Sequence, residues 1–263
     1  MGCSGGREPF ARAQRGPLPP EPPILPQTRF IPSFLSEEIM DNPWFRLPEA
    51  QPFVLQADAA AVATFNQKYA GTPYELHTEL PPEPFSGRLD APVVLLNCYP
   101  NYSENDASIM LGNEEFSLSM KKTREFIVQE YPFYHLNPYF ADGNDGYGHW
   151  IKKIKEVVKA GFSLKVCSNS FLLLQLYPYK SKKCDKPQLF PSFAFTRHIL
   201  LAAMQRRALV VQLRSRGKWE EAVPELETYP HRIHGHSPGQ ATLSPGNLGS
   251  EGWRILLSAL DAG

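Results

Sequence analysis

Three short, uninterrupted apolar segments constrain the fold of this chain more than any other feature. They span residues 91–97 (APVVLLN), 171–176 (FLLLQL) and 208–213 (ALVVQL). A strand with one solvated face alternates apolar and polar residues, whereas a strand buried on both faces is apolar along its length. The three segments therefore predict the central strands of a parallel sheet that is covered on both faces.

Segments with helical periodicity separate these strands. Asp58 is the expected N-cap of the first helix, and Ser244 followed by Pro245 is the expected start of the last. A further short strand is expected at 231–234. Strands that alternate with helices predict the α/β class, as a three-layer α/β/α domain around a mostly parallel sheet. The predicted helices span 58–69, 113–129, 148–160, 192–207, 218–226 and 244–260.

The first 40 residues differ in composition from the rest of the chain. Seven of the 26 prolines fall between Pro17 and Pro32, and no apolar periodicity accompanies them. Such a segment buries too little apolar surface to offset the entropy lost on ordering. The sequence predicts a disordered, proline-rich arm at 1–40 and one folded domain at 41–263.

Charge is distributed unevenly, although the formal net charge is zero. Residues 1–150 hold 10 Lys and Arg against 19 Asp and Glu, and residues 151–263 hold 17 against 8. This split permits a basic face for a polyanion, but it is equally compatible with ordinary solvated faces if the two halves interleave in space.

The cysteines indicate a reducing compartment. Cys98 and Cys167 lie in apolar surroundings as expected for buried thiols, and the sequence has no C-x-x-C pair of the kind that binds zinc. No signal peptide or membrane-spanning segment is recognisable. We expect a cytoplasmic protein, a monomer, with no metal site.

Ligands of open parallel sheets bind beyond the carboxyl ends of the strands. Three loops fulfil that condition, and each carries more polar and aromatic residues than a core requires. They span residues 98–106, 177–183 and 234–247. We expect the three loops to converge on one site.

At these loops the chain resembles the uracil-DNA glycosylase superfamily, in particular a little-described bacterial branch. The resemblance runs from about Pro43 to the end of the chain. It rests on the segments PEPFSGRLDAPVVLLNCYPNYSENDA, YPFYHLNP, FLLLQLYPYKS, KWEEAVPEL and HSPGQATLSPGN. It implies a uracil-DNA glycosylase-like fold and the hydrolysis, without cofactor, of the N-glycosidic bond of a deaminated or damaged base in DNA.

The resemblance implies three catalytic candidates. His236, in HSPG, corresponds to the residue of the late loop that stabilises charge on the departing base, with His234 as its substitute. Tyr99 occupies the position at which the family carries the acid or amide that positions water. Because tyrosine is a poor base at neutral pH, Asn97 and Asn101 are the alternatives for this role.

The remaining candidates concern substrate binding. Gln175 is expected to read the Watson–Crick edge of a pyrimidine, since an amide offers both a donor and an acceptor; core hydrogen bonding is the ordinary alternative. Tyr177 and Tyr179 are candidates for stacking on the base, although aromatic residues beside a proline more often pack a loop onto its domain. Phosphate contacts are assigned to Lys180, Lys182 and Lys183. The expected substrate-binding residues are Gln175, Asn101, Tyr102, Tyr177, Tyr179, Ser237, Lys182 and Lys183.

Two further functions remain open. The same fold could bind nucleic acid or a nucleotide without turnover, which Tyr99 favours. Alternatively, Cys98 could be the nucleophile of an unrelated hydrolase with His236 as its base, although no glycine elbow or acidic partner accompanies Cys98.

Overall fold

The computed structural model describes residues 41–184, 188–237, 239 and 241–261. Residues 1–40, for which the sequence predicts a disordered arm, lie outside the described residues. The described residues form an α/β structure with a five-strand, mostly parallel sheet flanked by helices.

The sheet has the strand order β1-β3-β2-β4-β5. β1 is antiparallel to β3, and every other pair is parallel. The strands are β1 (Phe85–Gly87), β2 (Val93–Asn97), β3 (Phe171–Gln175), β4 (Leu209–Gln212) and β5 (Arg232–His234). The three predicted apolar strands are confirmed as β2, β3 and β4, and every residue of these three strands is buried.

The described residues form eight α-helices. They are α1 (Ala59–Tyr69), α2 (Asp106–Met110), α3 (Glu114–Arg124), α4 (Asp145–Lys159), α5 (Leu164–Ser170), α6 (Phe193–Gln205), α7 (Arg216–Ala222) and α8 (Pro245–Asp261). None of them is both long and apolar enough to cross a lipid bilayer.

Two apolar clusters cover the two faces of the sheet. Val94, Leu96 and their neighbours on one face pack with α6 and with Trp219 of α7. Val93, Leu95 and their neighbours on the other face pack with α4, α5 and α8. Alternate residues of each strand thus enter opposite clusters, which explains why polar residues are excluded until the strand ends.

Several predicted elements differ in their bounds. The helix predicted at 113–129 ends at Arg124, because Phe126 adopts a left-handed backbone (φ 58°) that turns its ring towards Phe85 and Phe195. The helix predicted at 218–226 is broken at Pro224, which cannot donate an amide hydrogen bond, and a 3₁₀ turn follows.

Three short elements, β1, α2 and α5, were not expected from the sequence. β1 contains only three residues, and its glycine has a φ of 110°. A Cβ at Gly87 would lie 2.0 Å from the backbone oxygen of Phe171, so only glycine allows β1 this close to β3. α5 begins with a genuine cap, since Ser163 Oγ accepts from Val166 N at 3.2 Å.

The predicted caps have different outcomes. Ser244 Oγ accepts from Asn247 N at 3.3 Å, so the cap of α8 is confirmed. Asp58 occupies the N-cap position of α1, but its side chain makes no capping bond. Its carboxylate instead accepts from the Tyr179 hydroxyl at 2.7 Å and from Ser192 N at 2.9 Å, and it is fully buried. The Asp58 side chain, which the sequence assigns to a helix cap, thus makes tertiary hydrogen bonds instead.

Candidate functional site

A cleft of about 430 Å³ opens at the carboxyl ends of β2 and β3. β2 lies between β3 and β4. The chain leads from β2 to β3 on one side and from β3 across to β4 on the other, so the strand order reverses at β2. Such a reversal is where open α/β sheets bind ligands. We call this site the amide cleft; its principal residues are Asn97, Gln175, Asp145, His135, Lys180 and Arg214.

Two amide side chains form the floor of the amide cleft. Asn97 and Gln175 are partners in the parallel register of β2 and β3. Asn97 Nδ2 donates to the Tyr99 backbone oxygen at 3.3 Å. Gln175 is 5% exposed, and its Oε1 has no hydrogen-bond partner within the described residues. A buried amide oxygen without a partner is costly, so this atom favours a ligand that donates a hydrogen bond.

A buried carboxylate, Glu83, organises one wall. Its Oε2 accepts from the Tyr134 hydroxyl at 2.8 Å and contacts His135 Nε2 at 2.6 Å, while its Oε1 lies 2.5 Å from Lys180 Nζ. Burial alone would raise the pKa of Glu83, but the charge of Lys180 and the contacts with His135 outweigh it and hold this pKa far below its usual range. Glu83 therefore stays ionised.

Lys180 completes this buried network. Its Nζ lies 3.2 Å from Asp106 Oδ2 and donates to the Asn101 backbone oxygen at 3.2 Å. Although burial opposes the charged form, Glu83 and Asp106 raise the pKa of Lys180. Burial also raises the pKa of Asp106, despite the nearby ammonium group. Since two carboxylates share one buried ammonium group, Lys180 serves structure and is not a contact for phosphate.

Asp145 supplies an accessible carboxylate at the opposite wall. It opens α4, and its Oδ2 accepts from Ser103 Oγ and, at 3.1 Å, from Asn105 Nδ2. These hydrogen bonds lower the pKa of Asp145. The next residue, Gly146, allows α4 to approach His135, because a Cβ there would lie 2.6 Å from His135 Nδ1. The first turn of α4 thus places an ionised, exposed carboxylate in the cleft.

A guanidinium group lies at the rim. Arg214 follows β4, and its Nη2 donates to the Gly239 backbone oxygen at 3.3 Å, which joins the late loop to the cleft. Arg214 Nε is buried and has no partner among the described residues. An arginine with an unused donor beside a polar cleft is suited to an anionic group such as phosphate.

The structure brings together four of the predicted site residues. Asn97, Tyr99, Asn101 and Gln175 all line the amide cleft. The Tyr99 hydroxyl donates to the Lys182 backbone oxygen at 3.4 Å. The expected convergence of the first two loops on one site is therefore observed.

Two predicted stacking residues belong to the interior instead. Tyr177 is buried in the apolar cluster beside α6, and its backbone N donates to the Cys98 oxygen. Tyr179 is 1% exposed, and its hydroxyl is bonded to Asp58. Both rings are buried and neither lines the cleft, which fits the alternative that they pack the loop onto the domain; the structure gives no support to their assignment to base stacking.

Tyr102, Lys182 and Lys183 lie outside the residues that line the cleft. The Tyr102 ring is stacked on His77 with a centroid distance of 3.5 Å. Lys182 Nζ lies 5.3 Å from the centre of that ring and 3.6 Å from Glu104 Oε1. Lys182 and Lys183 are both exposed, so their assignment as phosphate contacts stays a prediction.

The late loop is placed beside the amino-terminal part of α8. The backbone N of His236 donates to the Asn247 oxygen at 2.8 Å, and Ser237 N donates to Asn247 Oδ1 at 2.9 Å. His236 is exposed, and a Cβ at Gly249 would lie 3.3 Å from its Cε1. His234 Nε2 lies 3.2 Å from Arg216 Nη1. None of these three loop residues is among those that line the cleft.

The residues that sequence reasoning missed are the charged ones. Glu83, Asp106, His135, Asp145 and Arg214 come from five separate segments. The available signals were weak: a glutamate between prolines, a histidine in YPFYHLNP, and an aspartate that opens a helix after Asn144. Only the tertiary structure shows that they share one cleft.

No cluster of three or more His, Cys, Asp or Glu side chains suited to a metal ion occurs among the described residues. Cys98 contacts Cys184, and none of its described contacts is with His236, so the structure gives no geometric support to a Cys98–His236 pair.

No protein-family model, curated protein or solved structure matches this chain. Its function must therefore be inferred from the site itself.

Proposed function

We propose that the amide cleft binds one nucleobase of DNA, and that this chain is a DNA glycosylase acting on deaminated bases. The observation that carries the proposal is the buried, partnerless Oε1 of Gln175 beside Asn97. Uracil and hypoxanthine each present a ring N–H next to a carbonyl, whereas cytosine and adenine, from which they arise, present a ring nitrogen acceptor next to an amino group. Xanthine presents the same edge as uracil, as do guanine and thymine. One amide side chain matches that edge, because its oxygen accepts from the N–H while its NH₂ donates to the carbonyl.

The surroundings support a nucleotide rather than an isolated base. Arg214 offers an unused guanidinium donor at the rim, where a phosphate flanking the base would be neutralised. Since a base inside a duplex is inaccessible, the proposal requires single-stranded DNA or a base flipped out of the stack. We further propose that the domain has a uracil-DNA glycosylase-like α/β/α fold and that the protein is cytoplasmic and monomeric.

Asp145 is the proposed catalytic carboxylate. Cleavage of an N-glycosidic bond develops positive charge on the sugar and needs a positioned water molecule. An ionised, exposed carboxylate can stabilise that charge or accept a proton from the water. Asp145 is ionised, exposed and held by Ser103 and Asn105. It would thus replace the acid or amide that is missing at Tyr99.

The second candidate function is binding without turnover. It is favoured by the Tyr99 hydroxyl, which is bonded to the Lys182 backbone oxygen, and by the Asn97 amide, which is bonded to the Tyr99 oxygen. Because the Tyr99 hydroxyl and the Asn97 amide bond to backbone oxygens of the chain, neither is arranged to position a water molecule. In that case the cleft would hold a deaminated base and release nothing.

The test combines binding with base release. Fluorescent oligonucleotides with one uracil, hypoxanthine or xanthine are compared with an undamaged oligonucleotide, both single-stranded and duplex. The proposal predicts tighter binding of a deaminated base and base release that Asp145→Asn slows by on the order of 10²–10⁴-fold. Tighter binding without release would favour the second function, and equal binding of all oligonucleotides would contradict both.

His236→Ala is the matched control in this assay. If His236 had the role that the family resemblance implies, its removal would slow base release by on the order of 10²–10³-fold. Because His236 lies outside the residues that line the cleft, we expect its removal to change the rate by less than about threefold, well below that scale. A loss of the larger size would restore the role implied by the resemblance.

A further inference from the structure

Two thiols lie in direct contact beside the amide cleft. Cys98 directly follows β2, and Cys184 lies four residues after Lys180. Their sulfur atoms are 3.3 Å apart, and neither residue is part of a disulfide. A disulfide bond has a length of about 2.05 Å, so a shift of little more than 1 Å would join them. The described thiol Cys167 lies in the cluster on the other face of the sheet.

The pair combines one accessible sulfur with one sheltered sulfur. Cys184 is partly exposed, whereas Cys98 is only 4% exposed. An oxidant in solution can therefore reach Cys184, and Cys98 is positioned to attack only Cys184. This is the arrangement of an attacking thiol and a resolving thiol.

The surroundings of the pair stabilise a thiolate. Lys218 Nζ donates to the Cys184 backbone oxygen at 3.2 Å, and Ser215 and Arg214 are also close to Cys98. The hydrogen bond with Cys184, which outweighs the effect of burial, and these neighbours lower the pKa of Cys98 to about 7. By contrast, burial raises the pKa of Cys167 to about 12. Cys167 is thus an internal control of the same chemical type.

We propose that Cys98 and Cys184 are a modification site at which a low-molecular-weight disulfide, such as glutathione disulfide, forms a reversible bond between them. The Cys98 thiolate accepts the proton of Cys184 while the Cys184 sulfur attacks one sulfur of glutathione disulfide. A glutathione thiolate leaves and takes up this proton from Cys98. The Cys98 thiolate then attacks the Cys184 sulfur of this mixed disulfide and expels the second glutathione. Two protein thiols are oxidised, one glutathione disulfide is reduced to two glutathiones, and the two thiol protons pass to the glutathione thiolates or to solvent.

The bond would fasten the segment after β3 to the end of β2. Tyr177 N already donates to the Cys98 oxygen at 3.0 Å, so the segment after β3 and the end of β2 are already in backbone contact. Tyr99, which follows Cys98, and Lys180 both line the amide cleft. Oxidation would therefore hold two walls of the cleft together. This inference does not depend on which ligand the cleft binds.

The test uses the full chain, reduced and then equilibrated with mixtures of reduced and oxidised glutathione. Non-reducing tryptic mapping should show residues 89–121 joined to residues 184–197, and excess reduced glutathione should remove the link. Cys98→Ser should stop at a glutathione adduct on Cys184, and Cys167→Ser should form the link like the wild type. Mapping also separates any product of Cys3, which is distant in sequence.

Two results would overturn the proposal. One is a stable glutathione adduct on Cys184 of the wild type, with no joined peptide even in glutathione disulfide alone. The other is alkylation of Cys184 no faster than that of Cys167, because Cys184 is partly exposed and Cys167 is fully buried. Wild-type mapping needs no variant, so a misfolded variant cannot hide either outcome.

Discussion

Asn97 and Gln175 lie side by side on the same face of the sheet, because they are register partners at the carboxyl ends of the adjacent parallel strands β2 and β3. Gln212, at the end of β4, pairs with Leu96 and faces the opposite way. Two buried glutamines of this sheet thus have partnerless amide atoms, but only Gln175 opens into the cleft.

This relationship gives a matched pair of variants. Gln175→Leu and Gln212→Leu each remove a buried, unsatisfied amide, so each should leave the free energy of unfolding unchanged or raise it by up to about 1–3 kcal/mol. Only Gln175→Leu should abolish the preference for a deaminated base. Urea titration and oligonucleotide anisotropy measure the two effects. Equal loss of binding in both variants would mean that Gln175 acts through the fold.

The buried network predicts a large effect for Glu83→Gln. Removal of this charge leaves Lys180 with Asp106 alone, and breaking a buried ion pair from one side costs about 3–5 kcal/mol. Urea unfolding should show a loss of this size. Glu49→Gln is the control, since the Glu49–Lys121 pair is exposed and should contribute nothing measurable. A small effect at Glu83 would contradict the structural role of the network.

Lys153 predicts a specific pH dependence. This lysine of α4 is buried, its Nζ donates to the Ala241 oxygen at 3.0 Å, and burial, with Arg214 nearby, lowers its pKa from 10.5 to about 8. The unfolded chain then binds more protons than the folded chain between these two values. Stability from this group should therefore rise as the pH increases from about 8 to 10.5.

The comparison is with Lys153→Met. The free energy of unfolding of the wild type relative to the variant should increase across that pH window by on the order of 3 kcal/mol, the equivalent of the lowered pKa. Urea titrations at several pH values measure it. A constant difference between the two proteins would show that Lys153 keeps an ordinary pKa.

Tyr179→Phe separates the interior position of this ring from a stacking role. The variant keeps the ring but loses the hydroxyl that donates to Asp58 at 2.7 Å, so stability should fall by about 1–3 kcal/mol. Binding of oligonucleotides by the folded variant should be unchanged. If binding weakens while the melting temperature stays constant, the ring is in contact with the ligand after all.

The exposed lysines predict a salt effect. If Lys182 and Lys183 contact DNA phosphates, binding should weaken with added salt through counterion release. The double change to alanine should reduce the slope of log Kd against log salt by up to about 2. Anisotropy at several salt concentrations measures this slope. An unchanged slope would place the phosphates elsewhere, with Arg214, which has an unused donor in the cleft, as the next candidate.

The three central strands were predictable because burial on both faces requires a continuous run of apolar residues in the sequence. β2, β3 and β4 are apolar at nearly every position, and no periodicity is needed to find them. β1 has no such run, since three residues ending in glycine resemble a loop. The strand order was not predictable either, because nothing local to β2 indicates that β3 and β4 lie on either side of it.

The site was predictable only where it depends on strand ends. Asn97 and Gln175 are the last residues of their strands, so topology alone brings them to one edge. The pairing of Glu83 with His135, 52 residues away, depends on tertiary packing. The partner of Tyr179 was not predictable for the same reason, because Asp58 lies 121 residues away and appears from the sequence to be a helix cap.

The proposed contact of Gln175 with a nucleobase can be observed directly in the NMR resonances of the side-chain amides. In ¹⁵N-labelled protein, the NH₂ groups of Gln175 and Asn97 are followed while a uracil-containing single-stranded oligonucleotide is added, with the matching cytosine oligonucleotide as control. We expect the Gln175 resonances to shift and to reach saturation as the uracil oligonucleotide is added, while those of Gln212 do not move. Binding of that oligonucleotide without any change at Gln175 would contradict the proposed contact.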